Sequence, residues 1–262
     1  MPIQYLRPKV LAVGVCIAVF AAPARADAQS SDPPRPHPGA TADFMFGRPR
    51  GSIALRGTFV IARAGSDLFD FVTDQLTLDT NDFNAPAIGG EVGIVITPRI
   101  EALAGFEMSG TSEQPSEYRR FVDNNLQPIE QETELSLVNL TGSMKIALRP
   151  RGRSISRLAW IPNGVTPYVG GGGGVVRYDF VQRGDFVDFV DMSVFTDVFQ
   201  SKGWAPSAHA FGGVDLQVYR SLYVQVEGRY TWAKGTLDSD FIDFDPIDLS
   251  GFRPTVGVSL VF

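Results

Sequence analysis

Cysteine occurs once in 262 residues, at Cys16. It falls inside an apolar N-terminal stretch, so the rest of the chain has no thiol, no disulfide and no cysteine ligand. Histidine occurs twice, at His37 and His209, which leaves a transition-metal site short of its usual donors. Positive charge is also scarce. The chain has 23 Lys and Arg against 29 Asp and Glu, a formal charge of -6, and this excludes the basic footprint of a nucleic-acid binder. Outside the N-terminus no apolar run approaches the ~20 residues of a membrane-crossing helix. No cofactor motif or catalytic motif stands out, so neither a cofactor nor enzymatic activity is expected.

The N-terminus carries Arg7 and Lys9, then apolar Val10 to Ala22, then Ala24-Arg25-Ala26 and Ala26-Asp27-Ala28. A basic start, a short apolar middle and Ala-x-Ala sites read as a cleaved signal peptide over 1–28. Residues 29–51 contain Pro33, Pro34, Pro36, Pro38 and Pro49, the composition of an extended lead-in. His37 lies there and is assigned no role. Phe44-Met45-Phe46 is expected to rest on the lower rim of the barrel that the following strands suggest.

From Ser52 to Phe262 the pattern has period two. Eight segments alternate: about 52–63, 86–97, 99–110, 135–149, 166–180, 204–219, 222–234 and 251–262. In the last, Phe252, Pro254, Val256, Val258, Leu260 and Phe262 share one face, and Arg253, Thr255, Gly257 and Ser259 share the other. Connectors alternate too. Thr97-Pro98-Arg99 and Arg220-Ser221 are tight, whereas 64–85, 111–134, 181–203 and 235–248 are long. Pro150 to Val165 departs from the rule. It reads either as a long turn with Trp160-Ile161-Pro162 docked at an interface, or as a miscounted strand region.

Charges fall opposite the apolar face. Arg56, Glu91, Glu101, Glu107, Lys145, Arg177, Asp215, Glu227, Arg229 and Arg253 are expected to form a polar network in a lumen. Outward aromatics would supply two girdles: Tyr168 and Tyr178, ten residues apart, with Trp204, Tyr230, Trp232 and Phe262. A sheet in lipid must close on itself, because nothing there can satisfy an open edge. The fold class expected is therefore all-β, an eight-stranded antiparallel up-and-down transmembrane β-barrel.

This pattern, the glycine-rich fifth segment and terminal Phe262 resemble the small bacterial outer-membrane β-barrel proteins of the OmpA-transmembrane-domain and OmpX type. The resemblance implies a Gram-negative outer-membrane location and a periplasmic place for 29–51. It also implies outer-membrane lipid and lipopolysaccharide as surroundings, and recognition of Phe262 by the barrel assembly machinery. Function would be non-enzymatic, in envelope integrity or surface interaction. An OmpW-like small-molecule conduit or binder is the alternative, and a lipid A-modifying enzyme a further one.

An eight-stranded barrel is just wide enough for side chains to fill. With charges inside, a plugged interior is expected, with Gly89, Gly93, Gly105, Gly171, Gly173, Gly213 and Gly257 leaving room for water. Gly170 to Gly174 is not a phosphate-cradling loop, since no helix and no Lys-Ser/Thr follows. It reads as a sharply curved strand that makes room for inward Arg177.

Ser207 and His209 point the same way on the sixth segment. A lipid hydrolase would need them facing lipid with a carboxylate, but they share a face with Asp215 and Gln217. The long connectors are rich in aspartate and phenylalanine. Their acids form either a solvated negative rim or one that engages divalent cations, without the spacing of an EF-hand. Ser66 would cap a short helix carrying Leu68, Phe71, Val72 and Leu76 as a lid. Arg119 and Arg120 read as surface charge.

Overall fold

The computed structural model describes residues 45–262 apart from 112, 124 and 156–158. The signal peptide, His37 and most of the proline-rich lead-in lie outside the described residues. Eight long strands follow one another: β1 (Gly51–Ala62), β2 (Ala85–Val95), β3 (Ile100–Gly110), β4 (Pro128–Ala147), β5 (Val165–Val187), β6 (Val194–Tyr219), β7 (Leu222–Gly235) and β8 (Gly251–Val261). Each pairs antiparallel with the next, and β8 returns to β1 with Val258 opposite Leu55. The ring leaves no open edge. The Phe262 carbonyl accepts from the N–H groups of Arg50 (2.7 Å) and Gly51 (2.9 Å), which fastens the end of the last strand to the first.

The strand count expected from the sequence holds, and the irregular connector explains itself. Gly152–Ser154 and Ala159–Pro162 pair as a small hairpin, and Met45–Phe46 adds a third strand opposite Trp160 and Ala159. Trp160 is buried, so it does not dock at an outer interface. It lines the short-turn end of the barrel.

Two long connectors are not loops. Residues 181–203 continue the β5–β6 ladder as far as Val187 opposite Val194. Within 111–134, Gln114–Val122 forms an outer strand against the start of β4. β5 and β6 run 23 and 26 residues, more than twice the ~9–11 a strand needs to cross a bilayer. The long-loop half therefore stands clear of the crossing zone.

The polarity is that of a protein turned inside out. Ile53, Leu55, Ile88, Ile94, Phe106, Met144, Val226, Val256, Val258 and Leu260 are exposed on the outer face. Arg56, Glu91, Glu101, Lys145, Glu227, Arg229 and Arg253 are buried within. Such a surface is solvated by lipid rather than water.

Above the charged zone the interior changes character. Helix α1 (Asp67–Gln75) folds inward, and Leu68, Phe69 and Val72 pack with Tyr178, Phe180, Phe241 and Ile247 in an apolar core. Ser66 takes the N-cap position without a side-chain cap bond. Asp67 instead accepts from the N–H of Leu68 at 2.9 Å and of Asp245 at 3.0 Å, joining the first long connector to the last. Phe69, not Phe71, belongs to the buried face of the helix.

Candidate functional site

The interior has three layers, each set by which strand positions turn inward. The middle layer is ionic. Arg56 of β1 bonds Glu91 of β2 at 2.6 Å and also Glu227 of β7. Arg229 reaches the same two acids, at 3.5 Å to Glu91 and 3.0 Å to Glu227. Lys145 meets Asp215 at 2.8 Å, and Arg253 meets Glu107. The free volume here is about 20 Å³, room for roughly one water.

Aromatic rings wedge this lattice. Tyr168 donates its hydroxyl to Glu227 at 3.0 Å, and Lys145 Nζ sits 3.8 Å above its ring centroid. Phe211 lies under the Arg229 guanidinium at 4.7 Å and stacks against His209. A Cβ at Gly170 would come within 2.3 Å of the Phe211 ring, so the glycine is what admits that ring.

Below lies a vestibule of about 200 Å³ at the short-turn end. Glu101 is held there by Ser52 Oγ at 2.6 Å and by Arg151 from the hairpin. Trp160 and Tyr223 form part of its wall. The third layer is the apolar core under α1.

Nine of the ten residues expected in the lumen network lie inside; Arg177 does not. It is exposed on the outer face opposite Trp204, while its neighbours Val176 and Tyr178 are buried. Tyr168 and Tyr178 are corrected with it: at 2% and 1% exposure they are lumen residues, not girdle residues. The inward glycines of β5 are accordingly Gly170, Gly172 and Gly174 rather than Gly171 and Gly173. The physical reason is the layering: inward residues are apolar wherever they meet the core under α1. Trp204, Trp232 and Phe262 are exposed at 57%, 49% and 67%, with Tyr230 outward beside Trp232. Arg151, from the connector whose nature the sequence left open, is the base the sequence reading missed.

Ser207 and His209 face inward. His209 Nε2 shares a 2.7 Å hydrogen bond with Ser143 Oγ, while its Nδ1 and Ser207 Oγ have no partner among the described residues. Among the described residues no carboxylate orients the imidazole, and neither group reaches the outer face.

Loop aspartates spend their oxygens on turns. Asp123 accepts from the N–H of Asn125 and Gln127, and Asp188 from that of Val190. Asp238 and Asp240 accept from Lys202 and Gln200 of β6. Among the described residues no group of three or more His, Cys, Asp or Glu gathers closely enough to hold a metal ion.

No family model and no curated protein matches the chain. Solved structures similar to it include Neisserial surface protein A (NspA), 13% identical, covering 84% of this chain and 98% of that one, with a TM-score of 0.46. The outer membrane protein OprG from Pseudomonas aeruginosa is 11% identical over 83% and 99%, with a TM-score of 0.42. The N-terminal β-barrel domain of Pseudomonas aeruginosa OprF is 13% identical over 82% and 99%, at 0.39. The chain's own geometry decides its class: a closed antiparallel ring, charged within and apolar without, is an eight-stranded transmembrane β-barrel protein.

Proposed function

We propose that the protein is a non-enzymatic, non-conducting barrel of the bacterial outer membrane. It would serve envelope integrity or surface interaction through its long-loop half. The observation that supports this reading is what fills the interior, an ionic layer and an apolar core. The Arg56–Glu91–Glu227–Arg229 lattice crosses the middle, and the core under α1 fills the long-loop end. Opening a path would require breaking several buried ion pairs and expelling Phe69 and Phe180 together.

The signal peptide expected over 1–28 fits export, with outer-membrane lipid and lipopolysaccharide around the belt. The missing carboxylate beside His209 favours the non-enzymatic reading over lipid A hydrolysis. A conduit is the second reading, and the vestibule of about 200 Å³ is what favours it.

Single-channel recording of the refolded protein in planar bilayers tests the choice. The proposal expects a silent membrane. Steady openings in wild type that change with Arg56→Ala would establish a conduit instead.

A further inference from the structure

The cleft between the long connectors is separate from the lumen. It encloses about 200 Å³ between α1, the outer strand, the tips of β5 and β6, and the last connector. Phenylalanines wall it: Phe71 meets Phe189 edge-on at 6.2 Å and Phe244 at 5.5 Å, and Phe186 meets Phe199 at 4.6 Å. Gln131 of β4 also lines it. That residue is 3% exposed, and its Oε1 accepts no hydrogen bond from the described residues. A buried acceptor without a donor is costly, and a ligand able to donate to it recovers that cost. Among the described residues Asp240 is the charged lining residue, and no Lys or Arg joins it.

We propose that this cleft binds a small aromatic molecule of one or two rings, neutral or cationic, whose N–H or O–H donates to Gln131 Oε1. Size sets the first limit: an apolar cavity of ~150 Å³ holds benzene, so this one takes a ring or a fused pair. Ring faces and edges on the walls match an aromatic guest. The orphan oxygen selects a donor, and Asp240 with no opposing base rejects an anion. An acyl chain would leave Gln131 as it is. The inference goes beyond the plugged-barrel reading and does not depend on it.

Indole is the probe, with 1-methylindole, which has no N–H, as its partner. The protein is placed in lipid nanodiscs with labelled Leu and Val methyl groups. Indole is expected to shift Leu68, Leu76 and Val187 saturably, and to bind about tenfold or more tightly than 1-methylindole. Gln131→Met should abolish the difference between the two. Equal affinities, or shifts confined to belt residues such as Val226 and Leu260, would overturn the proposal. The wild-type comparison decides even if the variant does not insert.

Discussion

The ring of Tyr178 occupies the space a side chain at Gly235 would need, since a Cβ there would lie 2.6 Å from Tyr178 Cε1. Tyrosine and glycine stand on β5 and β7, so the ring leans across β6, where Gly203 leaves it passage. Its hydroxyl ends on the carbonyl of Thr236. One side chain thus ties three strands together where the ionic layer gives way to the apolar core.

Gly235→Ala should drive that ring out of place and cost about 1–3 kcal/mol, the usual penalty of overpacking. Tyr178→Phe keeps the ring and loses the hydroxyl, at about 1 kcal/mol. Urea unfolding in lipid vesicles, followed by tryptophan fluorescence, should rank the alanine variant below the phenylalanine variant.

Arg253 and Glu107 make the sharpest test of the lumen charges. Arg253 is 2% exposed, and its Nε and Nη2 lack partners among the described residues, so Glu107 is its main compensation. Arg253→Met alone should strand a carboxylate and cost about 3–5 kcal/mol. Adding Glu107→Leu should recover most of that loss, because an apolar pair needs no solvation. A double variant as weak as the single one would mean the charges matter for more than each other.

Turn aspartates in the exposed loops give a pH signature. The Gln127 N–H holds the Asp123 carboxyl below the usual carboxylate range, and the Ser193 hydroxyl does the same for Asp191. A folded pKa below the unfolded one makes each contribution fully present above about 3.9 and lost as pH falls through the folded value. Carbon-detected NMR titration should find both carboxyls titrating below a free aspartate, with loop order declining only at that lower pH.

Most of the ring was legible because lipid imposes one rule on every crossing strand, apolar outward and polar inward. β8 obeys it from Gly251 to Leu260, and so do β1 to β3 apart from inward Val60 and Leu103. The rule misleads on β5 for two physical reasons. Gly170 to Gly174 carry no side chains, so the phase is unmarked for five residues. Beyond them the interior is itself apolar, so buried Val176, Tyr178 and Phe180 look like belt residues and outward Arg177 looks lumenal. The ion lattice needed only alternation to be found, apart from Arg151. The loop cleft had no sequence signal beyond its phenylalanines, since Gln131 becomes notable only once β4 and α1 are brought together.

Three tryptophans stand on opposite sides of the barrel wall, which makes its polarity directly measurable. Trp204 and Trp232 are exposed on the outer face, and Trp160 is 5% exposed at the mouth of the vestibule. Three single-tryptophan variants, the others replaced by Phe, would be placed in bilayers with brominated acyl chains. Strong quenching of Trp204 and Trp232 with Trp160 spared is the predicted result. Quenching of Trp160 while the other two stay bright would contradict the inside-out barrel.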